Sequence, residues 1–213
     1  MTTRLALYNG ALRHCGERKL ASLTENREPR RLLDTAWDGG AVNFVLEQGF
    51  WRFASRMKKV DSDPSVTVEF GHKNAFAKPD DLRRLCAISA DEYFNTPLTA
   101  YSEEGEWWYA DVDPVYIKYV SSDTEYGGDL SRWPENFSRY AEAHLAVEII
   151  DRLSQNETKL DKLYKIERLL LTRARSSDAM SGPTQFPPTG MWVSARANNS
   201  PRRDGGNRGG LIG

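Results

Sequence analysis

A chain of 213 residues allows one domain, or one domain with a sizeable insertion. Hydrophobic residues make up 39% and charged residues 28%, and the formal net charge is -1, so no global basic field draws the whole molecule onto nucleic acid. No run approaches the ~18 apolar residues of a membrane span, "MTTRLALYNG" does not read as a signal peptide, and Cys15 and Cys86 read as buried thiols of a cytosolically made protein rather than as a disulfide framework.

The first predicted helix runs from Thr3 to Cys15, with Leu5, Tyr8, Leu12 and Cys15 on one face. Thr2 or Thr3 caps its start and Gly16 its end. Gly10, inside it, marks either close approach of another helix or simple tolerance. In the connector after it, Leu20 and Leu23 are expected to tuck back onto the core. A longer helix follows over Glu28 to Gln48, with Pro29 in the first turn and Leu33, Trp37, Ala41 and Phe44 as its buried stripe. Arg30, Arg31, Asp34 and Asp38 are expected to face solvent.

From Phe50 to about Asp129 the periodicity changes to alternation. "FWRFASR", "SVTVEF" (Val66, Val68, Phe70), the residues after "KPDD" (Leu82, Leu85, Ile88) and "GEWWYADVDPVYIKYV" read as strands. Four to six of them are expected in one antiparallel sheet inserted between two helical pairs. Helices return at Pro134. Phe137, Ala141, Leu145, Ile149 and Leu153 line the third helix, with Tyr140 and His144 beside them. Asn156 caps the fourth, Glu157 to Asp178, whose face carries Leu160, Leu163, Leu170, Leu171 and Ala174 and is widened by Tyr164 and Ile166. Arg168, Arg173 and Arg175 suit the dipole of that helix. The expected fold is α+β, mainly an α four-helix bundle with an antiparallel β insertion between helices 2 and 3. The segments are residues 1–49 for helices 1 and 2, 50–130 for the insertion, 131–181 for helices 3 and 4, and 182–213 for an extended C-terminal arm.

The chain carries little that reads as catalytic chemistry. His14, His72 and His144 lie in three separate elements without ligand spacing. "GGNRGG" lacks the lysine and serine of a phosphate loop. Asp80-Asp81 and Glu103-Glu104 sit in polar turns, where solvated charge is the ordinary explanation. No enzyme, cofactor or metal is expected. The arm is different. Pro187, Pro188 and Gly190 exclude a regular helix there, yet Phe186, Met191 and Trp192 are costly to leave in water. Such a segment either gains order on a partner surface or folds back over its own bundle, and the first reading is the one expected. Its arginines, Arg196, Arg202, Arg203 and Arg208, stand against the single acid Asp204, so a nucleic-acid-binding module using the basic arm is the alternative. Trp107, Trp108 and Tyr109 offer stacking surface, although alternating aromatics on a sheet more often pack a core or an interface.

Several segments together resemble phage head-to-tail adaptor proteins of the tail tubular protein A group. The first helix ends at Gly16-Glu17, and the second ends in Gly49-Phe50-Trp51 with Phe53. Pro79, Asp80, Leu82 and Arg83 are similar to a stretch of that group, as are Pro114 to Val120, the helix after Trp133, and the run "SSDAMSGPTQFPPTGMWVSAR". The Arg/Gly-rich end after Arg203 departs from the pattern. The resemblance implies a twelvefold homo-oligomeric ring in the virion neck, assembled in the host cytoplasm. Such a ring sits beneath the portal protein, prolongs the channel through which genomic DNA passes without specific binding, and supports the tail nozzle or fibre proteins. It also implies a portal-binding arm, here Phe186, Pro187, Pro188, Met191, Trp192, Val193, Arg196, Arg202 and Arg203. Trp107, Trp108 and Tyr109 are assigned, as a sheet edge, to the nozzle or fibre contact.

Overall fold

Thr3 starts helix α1 (Arg4–Cys15) by accepting the N–H of Ala6 on its side-chain oxygen at 3.2 Å, and Gly16 closes it. The computed structural model to which these elements belong describes residues 2–154 and 156–182. It divides into two units, residues 1–179 and 180–213. Of the two readings of Gly10 the structure favours close approach, because a Cβ there would lie 2.0 Å from the carboxyl carbon of Glu142 on helix α4 (Glu135–Leu153). Leu20 is buried as expected, held by the Asn9 side chain, which accepts its N–H at 2.7 Å and donates to its carbonyl at 3.1 Å. Leu23 is exposed instead.

The long second helix is kinked rather than continuous. Helix α2 (Glu28–Ala36) runs into a π-type turn over Trp37–Ala41, and α3 (Val42–Glu47) follows. Gly40 has φ 98° within this turn, a conformation that an L side chain resists. The wide turn takes up one extra residue and so advances the buried stripe by one position. Val45 is buried in place of Phe44, which is 45% exposed. Gly40→Ala is therefore expected to lower stability by about 1–2 kcal/mol. Gly39 has ordinary φ and open space around its would-be Cβ, so Gly39→Ala should be neutral or stabilising. Urea midpoints of the two variants check the contrast, and equal losses would remove the assigned role of Gly40. Asp34 also departs from expectation. It accepts hydrogen bonds from Arg4 at 2.8 Å, Arg30 at 2.6 Å and the Tyr8 hydroxyl at 2.9 Å, which ties α1 to α2.

The β residues form six strands: β1 (Ser55–Val60), β2 (Asn74–Ala77), β3 (Leu82–Ser89), β4 (Tyr101–Glu104), β5 (Trp107–Ala110) and β6 (Val115–Ser121). They pair as two antiparallel sheets, in the orders β1-β6-β3 and β2-β5-β4. Val66, Val68 and Phe70 are not a strand. They lie in the β1–β2 loop, beyond a turn in which Asp63 holds Ser65, and Phe70 is 86% exposed.

The expected mainly helical four-helix bundle with one antiparallel β insertion is therefore incorrect. Among the described residues the fold is α+β, with four helices (α2 and α3 counted as one kinked helix) and two three-stranded antiparallel sheets. Two facts explain the difference. The strands build a core of their own around Phe76, Trp108, Ile117 and Tyr119. In the helical core, α4 packs against α1, α2 and α3, whereas the long helix α5 (Glu157–Met180) fully buries only Leu163 and Ala174. Cys15 is buried and Cys86 half-buried, both as free thiols.

Candidate interaction site

A surface cleft of about 470 Å³ forms where the end of α3 meets the start of the β region. Its lining is built on Gly49-Phe50-Trp51, joined by Arg52, Arg84 of β3, and Arg175 and Asp178 of α5. The local cause is the end of a helix. The last carbonyls of α3 have no partner within the helix. Arg84 donates to the Glu47 carbonyl at 2.8 Å, and Arg175 donates from Nε to the Gln48 carbonyl at 2.9 Å and from Nη2 to the same oxygen. Arg175 thus caps α3, although its position in the sequence suggested a role at the end of its own helix.

This arrangement fixes both guanidinium groups without neutralising them. Among the described residues, neither Arg84 nor Arg175 takes part in an ion pair. The Arg84 guanidinium lies 4.4 Å from the ring centroid of Phe50, which is 56% exposed. Trp51 forms the inner wall. It is fully buried, and its Nε1 donates to the Val45 carbonyl at 3.1 Å. Asp178 accepts the main-chain N–H of Arg52 at 3.0 Å, while burial pushes its carboxyl above the usual range. A ring face, a charged fork with spare donors and an open rim suit an acidic side chain of a macromolecule better than an enclosed small ligand.

The sequence-assigned site residues fall elsewhere. Phe186, Pro187, Pro188, Met191, Trp192, Val193, Arg196, Arg202 and Arg203 lie outside the described residues. Trp107, Trp108 and Tyr109 are not at a sheet edge, because β5 is the central strand between β2 and β4. Alternation along β5 sends Trp108 inward, where it is 1% exposed, so it offers no contact surface. Trp107 and Tyr109 remain half-buried. The acidic pairs are not simply solvated either. Asp81 accepts from the Tyr119 hydroxyl at 3.1 Å, from Ser121 and from Arg56 at 3.0 Å, and Glu103 pairs with Lys78.

His144 is buried and hydrogen-bonded to Glu167 at 2.7 Å, and its ring stacks on Phe44 at a centroid distance of 4.6 Å. This contact joins α4 to α5. Among the described residues no group of three or more His, Cys, Asp or Glu side chains is placed to hold a metal ion, and no helix is long and apolar enough to cross a membrane. Reading the residues alone overlooked Arg84 and Arg175. The usable signal was Gly49-Phe50-Trp51, two large aromatics after a helix-ending glycine. The chain matches no protein-family model and no curated protein.

Proposed function

We propose that this chain is a structural head-to-tail adaptor of a phage virion. Copies of it form a ring against the portal protein, extend the DNA channel and support the tail nozzle or fibre proteins. In this role it catalyses no reaction and requires no cofactor. The observation that carries the proposal is the cleft. Gly49-Phe50-Trp51, part of the resemblance to adaptor proteins, lines an open surface with an exposed ring and two arginines that form no ion pair among the described residues. Helix α5 adds to this by leaving Tyr164, Ile166 and Leu169 exposed, which suits a subunit covered by neighbours. A ring requires two different faces on every subunit, one for each neighbour.

In the proposed assembly the C-terminal arm grips the portal. A chain truncated after Ser181 should fold and lose portal joining. Trp192→Ala should weaken docking by about 2 kcal/mol, as central aromatic residues of interfaces do. Pull-down of the full chain on purified portal protein measures both. Undiminished joining by the truncated chain would overturn the arm's role. Salt-sensitive duplex binding by the full chain, with no affinity for portal, would favour a nucleic-acid-binding module instead.

A further inference from the structure

The β4–β5 hairpin carries charge opposite to that of Arg84 and Arg175 in the cleft. Its tip carries Glu104 and Glu106, both exposed, and neither takes part in an ion pair among the described residues. Lys78 stiffens the tip by donating to the Gly105 carbonyl at 2.6 Å and to Glu103. Glu104 stands directly opposite Trp107 in the ladder, so an acid and an indole share one face of the hairpin. The cleft presents the counterpart, an arginine and a phenyl ring side by side.

We propose that the cleft of one subunit receives the hairpin tip of a second copy of this chain, with Glu104 and Glu106 pairing with Arg84 and Arg175. This contact rests on the ring reading above. Three observations favour it. Within one chain no ion pair joins the two sets. The sets are different surfaces, which permits the head-to-tail contact that a ring requires. Guanidinium forks match carboxylates in geometry. A duplex backbone needs a longer row of cations than this cleft supplies.

A charge exchange in the full-length chain tests the contact. Wild-type protein should assemble into rings, alone or on added portal, as measured by mass photometry. Glu104→Arg/Glu106→Arg should raise the concentration needed for assembly by about tenfold or more. Adding Arg84→Glu/Arg175→Glu to that chain should bring the concentration back to within about threefold of wild type. Because Arg84 and Arg175 also cap α3, a second measurement avoids the compound variant. Chains carrying Glu104→Cys, mixed with chains carrying Arg84→Cys and oxidised in the assembled ring, should give a covalent heterodimer. Rings formed by Glu104→Arg/Glu106→Arg at the wild-type concentration, or no heterodimer within rings, would overturn the contact and leave the adaptor reading standing. Unchanged rings that lose portal joining or DNA affinity would assign the cleft to those partners and equally overturn it. No ring from the wild-type chain with portal would overturn the adaptor reading and this contact with it.

Discussion

Phe137→Ala is expected to lower the unfolding free energy by about 3–5 kcal/mol, the usual cost of removing a large aromatic from a packed core. Phe137 is fully buried on α4. Its ring centroid lies 4.8 Å from that of Trp51, 4.8 Å from Phe53 and 4.7 Å from Trp133. These neighbours are themselves fixed. Trp51 donates to the Val45 carbonyl at 3.1 Å, and Trp133 donates from Nε1 to the Gly127 carbonyl at 2.8 Å. They have little freedom to close on the void, which keeps the cost at the upper end of the range. The same residue joins α4 to the segment that carries the cleft, so Phe137→Leu should lose less and preserve the cleft. Urea denaturation of both variants is the measurement. A loss below about 1 kcal/mol for alanine would show that this cluster is not the centre of the helical core.

Asp81→Ala is expected to cost about 2–3 kcal/mol at neutral pH, because it strips partners from buried hydroxyls. Tyr119 and Ser121 are fully buried and both donate to Asp81, and Arg56 bridges Asp81 and Asp123 at 3.0 and 3.1 Å. Burial alone would raise the Asp81 pKa. Hydrogen bonds from Ser121, Arg56 and Tyr119 together outweigh it and hold the carboxyl below its usual value. A carboxyl depressed in the folded state contributes its stabilisation fully above the unfolded pKa of about 3.9. That contribution disappears as pH falls through the lower, folded value. The gap between wild type and Asp81→Ala should therefore be wide at pH 7 and shrink as pH falls below about 3.9. A gap of constant width across that range would mean that the network does not depend on the charge of Asp81.

The elements most legible in the sequence were those whose stabilising contacts are local. α1 was readable from Leu5, Tyr8, Leu12 and Cys15, and α4 from Phe137, Ala141, Leu145 and Ile149, because helical period reports burial directly. The kink at Gly40 was not legible, since the apolar spacing of Leu33, Trp37 and Ala41 continues smoothly into the π-type turn and only the following residues reveal the shift. Val66, Val68 and Phe70 alternate as a strand does, but they have no partner to pair with, and alternation alone supplies none. The division of the strands into two sheets depends on pairings such as Arg56 with Tyr119 and Ala75 with Tyr109, set by distant residues. Trp108 was within reach, because alternation along β5 distinguishes it from Trp107 and Tyr109. Arg84, Arg175 and Asp81 were not, as their partners lie 25 to 127 residues away.

The cleft shows how a requirement of folding leaves a surface suited to binding. The α3 carbonyls require donors, and arginines from β3 and α5 supply them. Carbonyls satisfy those arginines without neutralising them, so two fixed positive charges remain beside an exposed ring. Image reconstruction of the virion with this chain labelled tests the adaptor role most directly. Density for this chain as a ring around the DNA axis, directly against the portal, is the expected result. Density off that axis, or a portal joined to the tail without this chain between them, would contradict it.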